Sequence, residues 1–246
     1  MFNDLNILVL SGGFGKRIKS TIGNTPKILA PINKKPFLDY FLDWLKPLTS
    51  NEGVSLTFSL HHNHNPIINY IKRKKVNCNY VIDEEAYGTF GAVCNSILKF
   101  PKEKYLILNG DTIFDADLKF IYKQFLQDSK LPLLILKPQS FNNRFGGYVL
   151  KNKKFSYCNH NSNLISLGAY FITHKELTRR WQLSTKSPFS LNNLKNYHSY
   201  PLMNDENCLG LEPINGVCLE ENISFVDIGI KESFLKAQKE VPSILK

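Results

Sequence analysis

The chain reads as an α/β protein: a Rossmann-like, mostly parallel sheet flanked by helices, with a smaller hairpin-rich subregion in its second half. Three observations predict this. Apolar runs that read as buried strands alternate with segments of helical periodicity as far as Lys137. The first run, Ile7–Leu10, ends in the turn Gly12-Gly13-Phe14-Gly15, at the strand end where open α/β sheets hold ligands. After Lys137 the pattern changes to short alternating segments with turn residues between them.

The elements follow in order. After Pro36, Phe37, Phe41, Trp44, Leu45 and Leu48 share one helical face, with Asp39, Asp43 and Lys46 opposite. Val54–Leu60 alternates apolar and polar residues, as a half-buried strand does. A second helix is expected to start with Asn65 as N-cap and Pro66 in its first position, turning Ile67, Ile68 and Ile71 inward. Its basic end, Lys72-Arg73-Lys74-Lys75, suits the negative end of the helix dipole. Asn79–Ile82 is a short strand, and Gly88 leads into a helix with Val93, Ile97 and Leu98 inward. Tyr105–Leu108 is a buried strand running into Asn109-Gly110-Asp111-Thr112. Asp115 and Asp117 are read as caps for a helix burying Leu118, Ile121, Tyr122, Phe125 and Leu126. Leu131–Lys137 is the fifth strand, and right-handed crossovers put helices on both faces.

In the second half, Asn143–Val149 and Lys154–Tyr157 form a hairpin, and Ser166–Ile172 a strand. Thr173 and Glu176 fit a capping box that opens a helix through Trp181. One more helix is expected over 187–197, then loops and a hairpin over 199–222. The strand Phe225-Val226-Asp227 precedes a C-terminal helix with Ile230, Phe234 and Leu235 on one face.

Composition narrows the class. With 246 residues, 43% hydrophobic and 21% charged, the chain supports one core and is not of disordered composition. No apolar run approaches the ~20 residues of a membrane span, and no basic-then-apolar leader opens the chain. The five cysteines, Cys78, Cys94, Cys158, Cys208 and Cys218, form no C-x-x-C pair and are odd in number. A reduced, cytoplasmic protein without a membrane partner is expected. The net charge of +10 fits either nucleic-acid binding or a basic surface around a site for polyanionic small molecules. Neither Lys72–Lys75 nor Lys151–Lys154 sits in a nucleic-acid module, which favours the second. His61, His62 and His64 lack a neighbouring cysteine or carboxylate, so they read as a polar loop after a strand, within reach of a substrate.

Gly12, Gly13 and Gly15 can take backbone angles closed to other residues, so their amides can converge on an anion. Lys16, Arg17 and Lys27 add fixed positive charge. The target is a phosphate chain. The spacing is neither G-x-G-x-x-G nor that of a P-loop. The pattern G-G-x-G-x-R with Pro26-Lys27 behind it resembles the opening signature of sugar-1-phosphate nucleotidyltransferases. The continuation Pro26–Asn33 and Lys35–Tyr40 is similar to the branch that holds heptose 1-phosphate guanylyltransferases.

The resemblance implies transfer of a nucleotidyl group, with GTP and a heptose 1-phosphate as the expected substrates and pyrophosphate as the leaving product. The attacking phosphate oxygen is already an anion, so no general base is needed; cations and backbone donors stabilise the spreading charge. It implies catalytic roles for Arg17, Lys27 and Asp111, and Mg²⁺ held by Asp111 and Asp227. Leu10, Ser11, Gly12, Gly13, Gly15, Lys16, Arg17 and Gly88 would bind the nucleotide. Arg144-Phe145-Gly146 resembles a family Arg-Tyr-Gly element beside the sugar, and Asn109 and Gly168 join that subsite. Residues 1–246 would form one nucleotidyltransferase domain, with 1–137 as the nucleotide-binding half and 138–246 as the half holding the sugar and the second metal ligand. Small-molecule substrates are the expected partners, no nucleic acid is, and a homodimer is allowed.

The chain departs from the family pattern in three places. Lys16 stands where a small hydroxylated residue is usual, and Ile28 follows Lys27 where proline is common. Family members carry Glu-Lys before the sugar-site glycine strand, whereas 155–163 holds no lysine and Ser166-Leu167-Gly168 replaces Asn-Gly-Gly. Arg144, Lys153 or Lys154 are the candidates to replace the lost charge. Three alternatives stay open: a cytidylyl-, uridylyl- or thymidylyltransferase, a regulatory homologue without turnover, and a nucleic-acid-binding protein.

Overall fold

The computed structural model describes residues 2–138, 147–158, 162–196 and 205–244. β1 (Leu5–Leu10) is buried over its first five residues. The glycine turn leads to α1 (Lys19–Ile22), a 3-10 turn at Lys27–Leu29, and a small hairpin of β2 (Pro31–Ile32) and β3 (Lys35–Pro36). α2 (Phe37–Thr49) buries the five residues of the expected stripe and Leu38. β4 (Val54–Leu60) has the expected bounds.

α3 (His64–Lys74) starts earlier than its sequence suggested, with Asn63 rather than Asn65 at the N-cap. Pro66 is tolerated as the third helical residue because the first turn's amides have no intrahelical acceptor. Ile67, Ile68 and Ile71 are buried. β5 (Asn79–Ile82) and α4 (Gly88–Lys99) follow, then β6 (Lys104–Asn109) and β7 (Thr112–Phe114). In α4, Leu98 is only partly buried while Phe90 and Cys94 are fully covered.

Asp117 caps α5 (Leu118–Gln127), accepting from the amides of Lys119 and Phe120 at 2.9 and 3.1 Å. Asp115 instead gives its backbone amide to Ser224 O. Leu118, Ile121, Tyr122 and Phe125 complete the buried stripe, which leaves Leu126, one step further round, 39% exposed. β8 (Leu133–Pro138) begins two residues after the expected start. β9 (Gly147–Lys151) and β10 (Lys154–Cys158) form the expected hairpin, with Asn152 and Lys153 at positive φ in its two-residue turn.

β11 (Leu164–Thr173) leads into α6 (His174–Thr185), where Thr173 Oγ1 accepts from the Glu176 amide and the helix runs past Trp181. α7 (described over Leu191–Asn196) starts after Ser190, which caps it by accepting from the Asn193 amide at 3.2 Å. The stretch expected to hold a hairpin contains α8 (Asp205–Leu209) and β12 (Asn215–Cys218) instead. β12 lies parallel to β8, a pairing between distant segments that no local turn announces. β13 (Phe225–Asp227) pairs with β7. In α9 (Lys231–Ile244), Phe234, Ala237 and Val241 are inward, and Leu235 is 54% exposed, contrary to expectation.

The main sheet runs β10-β9-β11-β6-β1-β4-β5, with β8 attached to β11 and β12 to β8. β6, β1, β4 and β5 are mutually parallel. β11 is antiparallel to β6 and to β8, so β8 keeps the direction of β6 without touching it. Alternate residues of β1 enter different cores: Ile7 and Val9 pack with α2, α3 and α5, and Leu8 packs with α4 and α6. Helices therefore cover both faces. The carboxyl ends of β1, β4 and β6 are locked together by Ser11 N to Ser59 O at 2.8 Å and Gly110 N to Leu10 O at 2.9 Å. That edge carries the site.

Candidate active site

Two adjoining cavities open at this edge. The first, about 350 Å³, is walled by Leu10 to Phe14, by Pro26 to Ile28, by Ser59 of β4 and His61 just after it, by the segment before α4 and its first turn, and by Asn109 to Asp111. Leu10, Ser11, Gly12, Gly13 and Gly88 all line it. Gly15 and Lys16 line neither described cavity, and Arg17 lines the second. Of the three turn glycines only Gly15 has a positive φ, 61°, so the expectation of special angles at Gly12 and Gly13 is corrected. Gly12 is needed for space: a Cβ there would stand 2.9 Å from His61 Cβ.

The glycine turn also meets the histidine loop through Phe14, whose ring lies 5.6 Å from His61 and 5.0 Å from His62. Lys16 Nζ sits 5.4 Å from the centre of the same ring. His61 and His64 are tied to backbone, His61 Nδ1 to Asp83 O at 2.9 Å and His64 Nδ1 to His61 O at 2.8 Å. These histidines shape the wall behind the turn.

Asp83 is a site residue that sequence reasoning passed over. It is 5% exposed and lines the first cavity. Asn95 Nδ2 donates to Oδ1 at 2.6 Å and Ser59 Oγ to Oδ2 at 3.3 Å. Burial pushes its carboxyl up to about 6, and the Asn95 and Ser59 hydrogen bonds restrain the rise. The available signal was its position directly after the strand Asn79–Ile82, the same placement that drew attention to Asp111. Ser11 Oγ is buried on the same cavity with no hydrogen-bond partner among the described residues.

The second cavity, about 280 Å³, shares Thr89, Asn109 and Asp111 with the first. Arg17, Thr112, Tyr148, Ser166, Gly168, Asp205 and Asp227 add to its wall. Gly168 has φ 66° and would place a Cβ 2.3 Å from Asn109 Nδ2, so only glycine lets β11 and β6 approach here. Arg144 and Gly146 lie outside the described residues. Lys154 donates to Asn215 Oδ1 at 2.5 Å and lies 3.4 Å from Asp128. Neither it nor Lys153 lines the second cavity, which corrects the expectation that they replace the lost lysine there.

Lys27 and Asp111 form an ion pair across the junction of the cavities, each 20% exposed. Asp227 stands beside Asp111 because Asp227 pairs with Thr112 and Ile228 N donates to Asp111 O at 3.0 Å. Gly229 N donates to Asp227 Oδ1. Among the described residues no three His, Cys, Asp or Glu side chains converge on a common point. Two carboxylates on one wall are the donor set of a hard cation that takes its other ligands from phosphate and water.

The nucleotidyl transferase family matches residues 6–243 of the chain. D-glycero-alpha-D-manno-heptose 1-phosphate guanylyltransferase of Aneurinibacillus thermoaerophilus is 28% identical over 96% of this chain and 98% of that protein. The protein of the same name from Campylobacter jejuni is 30% identical over 94% of this chain and 97% of its own length. The crystal structure of HddC from Yersinia pseudotuberculosis shares the fold, with a TM-score of 0.68 at 24% identity over 95% of this chain and 98% of that one. A glycine turn on the sheet edge, a lysine paired with a strand-end aspartate and a match spanning nearly the whole sequence agree: the chain belongs to the nucleotidyl transferase family.

Proposed function

We propose that the protein is a sugar-1-phosphate guanylyltransferase, joining the guanylyl group of GTP to a heptose 1-phosphate and releasing pyrophosphate in the cytoplasm. The observation that carries the choice of base is the buried carboxylate of Asp83 on the first cavity. Guanine presents N1–H and N2–H side by side, a donor pair that one carboxylate accepts and that the other three bases lack. The names of the two curated relatives support the heptose acceptor. No described helix is long and apolar enough to cross a membrane.

On this reading the first cavity holds the nucleotide, with Gly88 and Ser11 against the base and Gly12 and Gly13 bringing backbone amides to the phosphates. Lys27 releases part of its hold on Asp111 to meet the α-phosphate as charge spreads. Arg17, on the second cavity, faces the incoming acceptor phosphate rather than the triphosphate tail. Asp111 and Asp227 fit Mg²⁺, which supplies charge neutralisation to the reacting phosphates when bound. Residues 1–137 thus serve mainly the nucleotide and 138–246 the acceptor.

The test is pyrophosphate release across four nucleoside triphosphates and a panel of hexose and heptose 1-phosphates. GTP with a heptose 1-phosphate is expected to give the highest kcat/KM. Turnover with CTP, UTP or dTTP above that with GTP overturns the base assignment.

A further inference from the structure

The second cavity occupies a gap in the main sheet. On one edge of β11, β8 pairs with Leu164 to Ser166 and again with Tyr170 and Phe171. The other edge is shared by two strands: β9 pairs with Leu164 and Ile165, and β6 takes over only at Ala169. Among the described residues, Ser166, Leu167 and Gly168 therefore have no neighbouring strand on that edge. All three line the second cavity, between Tyr148 of β9 and Asn109 at the end of β6.

The strand is distorted at the same point. Its register against β8 shifts between Ser166 and Tyr170, so that residues 167 to 169 oppose Ile135 alone. A bulge of this kind re-aims side chains and is over-represented beside active sites. Gly168 takes φ 66°, and its amide donates to Ser166 Oγ at 3.1 Å instead of to a strand.

That bond limits what Ser166 can offer. A serine hydroxyl has one hydrogen to donate and two lone pairs. The Gly168 amide occupies a lone pair, and among the described residues the hydroxyl hydrogen meets no acceptor. The charged groups on the same wall are Arg17, Asp111, Asp205 and Asp227. Carboxylates donate no hydrogen bond, and Arg17 faces phosphate on the guanylyltransferase reading. Ser166 is thus a neutral donor on the acceptor cavity, with its oxygen fixed by the backbone of the bulge. The inference rests on the guanylyltransferase reading, in which this cavity holds the acceptor. We propose that the Ser166 hydroxyl donates a hydrogen bond to one ring hydroxyl of the acceptor, in the gap between β9 and β6, and so selects sugar 1-phosphates by the position of that hydroxyl.

The experiment compares wild type with Ser166→Ala and Ser166→Cys, using GTP and Mg²⁺ with heptose and mannose 1-phosphates and their single-deoxy analogues. Calorimetric binding of the same acceptors runs alongside turnover. Both variants are expected to raise the acceptor KM about 3–10-fold, with a much smaller change in the KM for GTP, as loss of one neutral hydrogen bond does. One deoxy analogue should bind the wild type more weakly than its parent sugar phosphate does, and should bind the variants as well as the parent does. That selective loss distinguishes direct contact from mere support of Gly168, which would weaken every acceptor alike. Ser166→Cys serves if Ser166→Ala does not fold, and Ser166→Thr, which keeps the O–H donor, should lose less than either. If sugar phosphates react or bind and the variants leave their KM and affinity unaltered, or every deoxy analogue loses equally in wild type and variants, Ser166 does not read the acceptor while the guanylyltransferase reading stands. If no sugar 1-phosphate reacts or binds in the presence of GTP, both fail together.

Discussion

Asp83 holds a carboxyl group where burial opposes its charge, and guanine is the ligand whose donors would compensate that charge. The burial and the proposed base contact make opposite predictions for stability and for binding. Because its pKa rises from 3.8 to about 6 on folding, ionising Asp83 costs stability above pH 6, and the cost fades as pH falls towards 4. Asp83→Asn should therefore stabilise the free protein at pH 7.5 by about 1–3 kcal/mol, with the gain vanishing near pH 4. The same variant should bind GTP at least about tenfold more weakly. In the wild type, GTP affinity should fall as pH drops through about 6. Urea melts and calorimetry across pH 4–8 check both; a variant that is destabilised at pH 7.5 and binds GTP normally contradicts the assignment. At Lys27 the expected separation is between rate and binding. Lys27→Ala leaves Asp111 without its partner, and should lower kcat about a hundredfold or more with a smaller change in GTP affinity. Presteady-state turnover beside equilibrium binding measures the difference.

Among the elements, α6 has the clearest structural task. Arg180 is fully buried, with Nε on Glu176 Oε1 at 2.7 Å and its other nitrogens on the carbonyls of Leu209, Glu212 and Pro213. One guanidinium thus pins the end of α8 and the approach to β12 onto α6. Removing it leaves the Glu176 carboxylate, 6% exposed, paired among the described residues only with the more exposed Arg179. Arg180→Met should cost about 3 kcal/mol in chemical denaturation. Because Asp205 and Leu209 of α8 line the second cavity, the proposed acceptor site, any surviving native protein should show a raised acceptor KM before its GTP affinity changes. Equal losses for both substrates would mean that α8 does not serve the acceptor. Hydrogen exchange of α8 amides gives a direct reading of the loosening.

The whole molecule carries a net charge of +10, and the proposed reaction joins two polyanions. Positive surface potential speeds encounter with such ligands and is screened by salt. The kcat/KM for GTP should therefore fall severalfold between 20 and 300 mM KCl, on the order of ten times at most, with kcat nearly constant. Stopped-flow binding at the same salts tests whether the change lies in the association rate.

The sequence by itself determined the parallel core and most of the first half, because period-2 and period-3.6 apolar patterns and strand-end glycines act locally. The bounds of β4 and the buried stripes of α2 and α3 could be read directly, as could Asp117 as a cap and the place of Leu10 to Gly13 at the sheet edge, where they line a cavity. A helix start shifted where one residue decides it, as at Ser190, since capping depends on which side chain the turn brings round. Tertiary structure alone decided three things. It inserted β11 between β6 and β8, a non-local antiparallel pairing. It placed Arg17 on the second cavity, beside Asp111 and Asp227. It also brought Asp83 and Asp205 to the two cavities, the first by burying a strand-end carboxyl under α4 and the second by anchoring a short helix through Tyr170 and Thr89. Local pattern carries burial and turn chemistry, whereas these placements come from contacts between segments up to 116 residues apart, which no periodicity encodes.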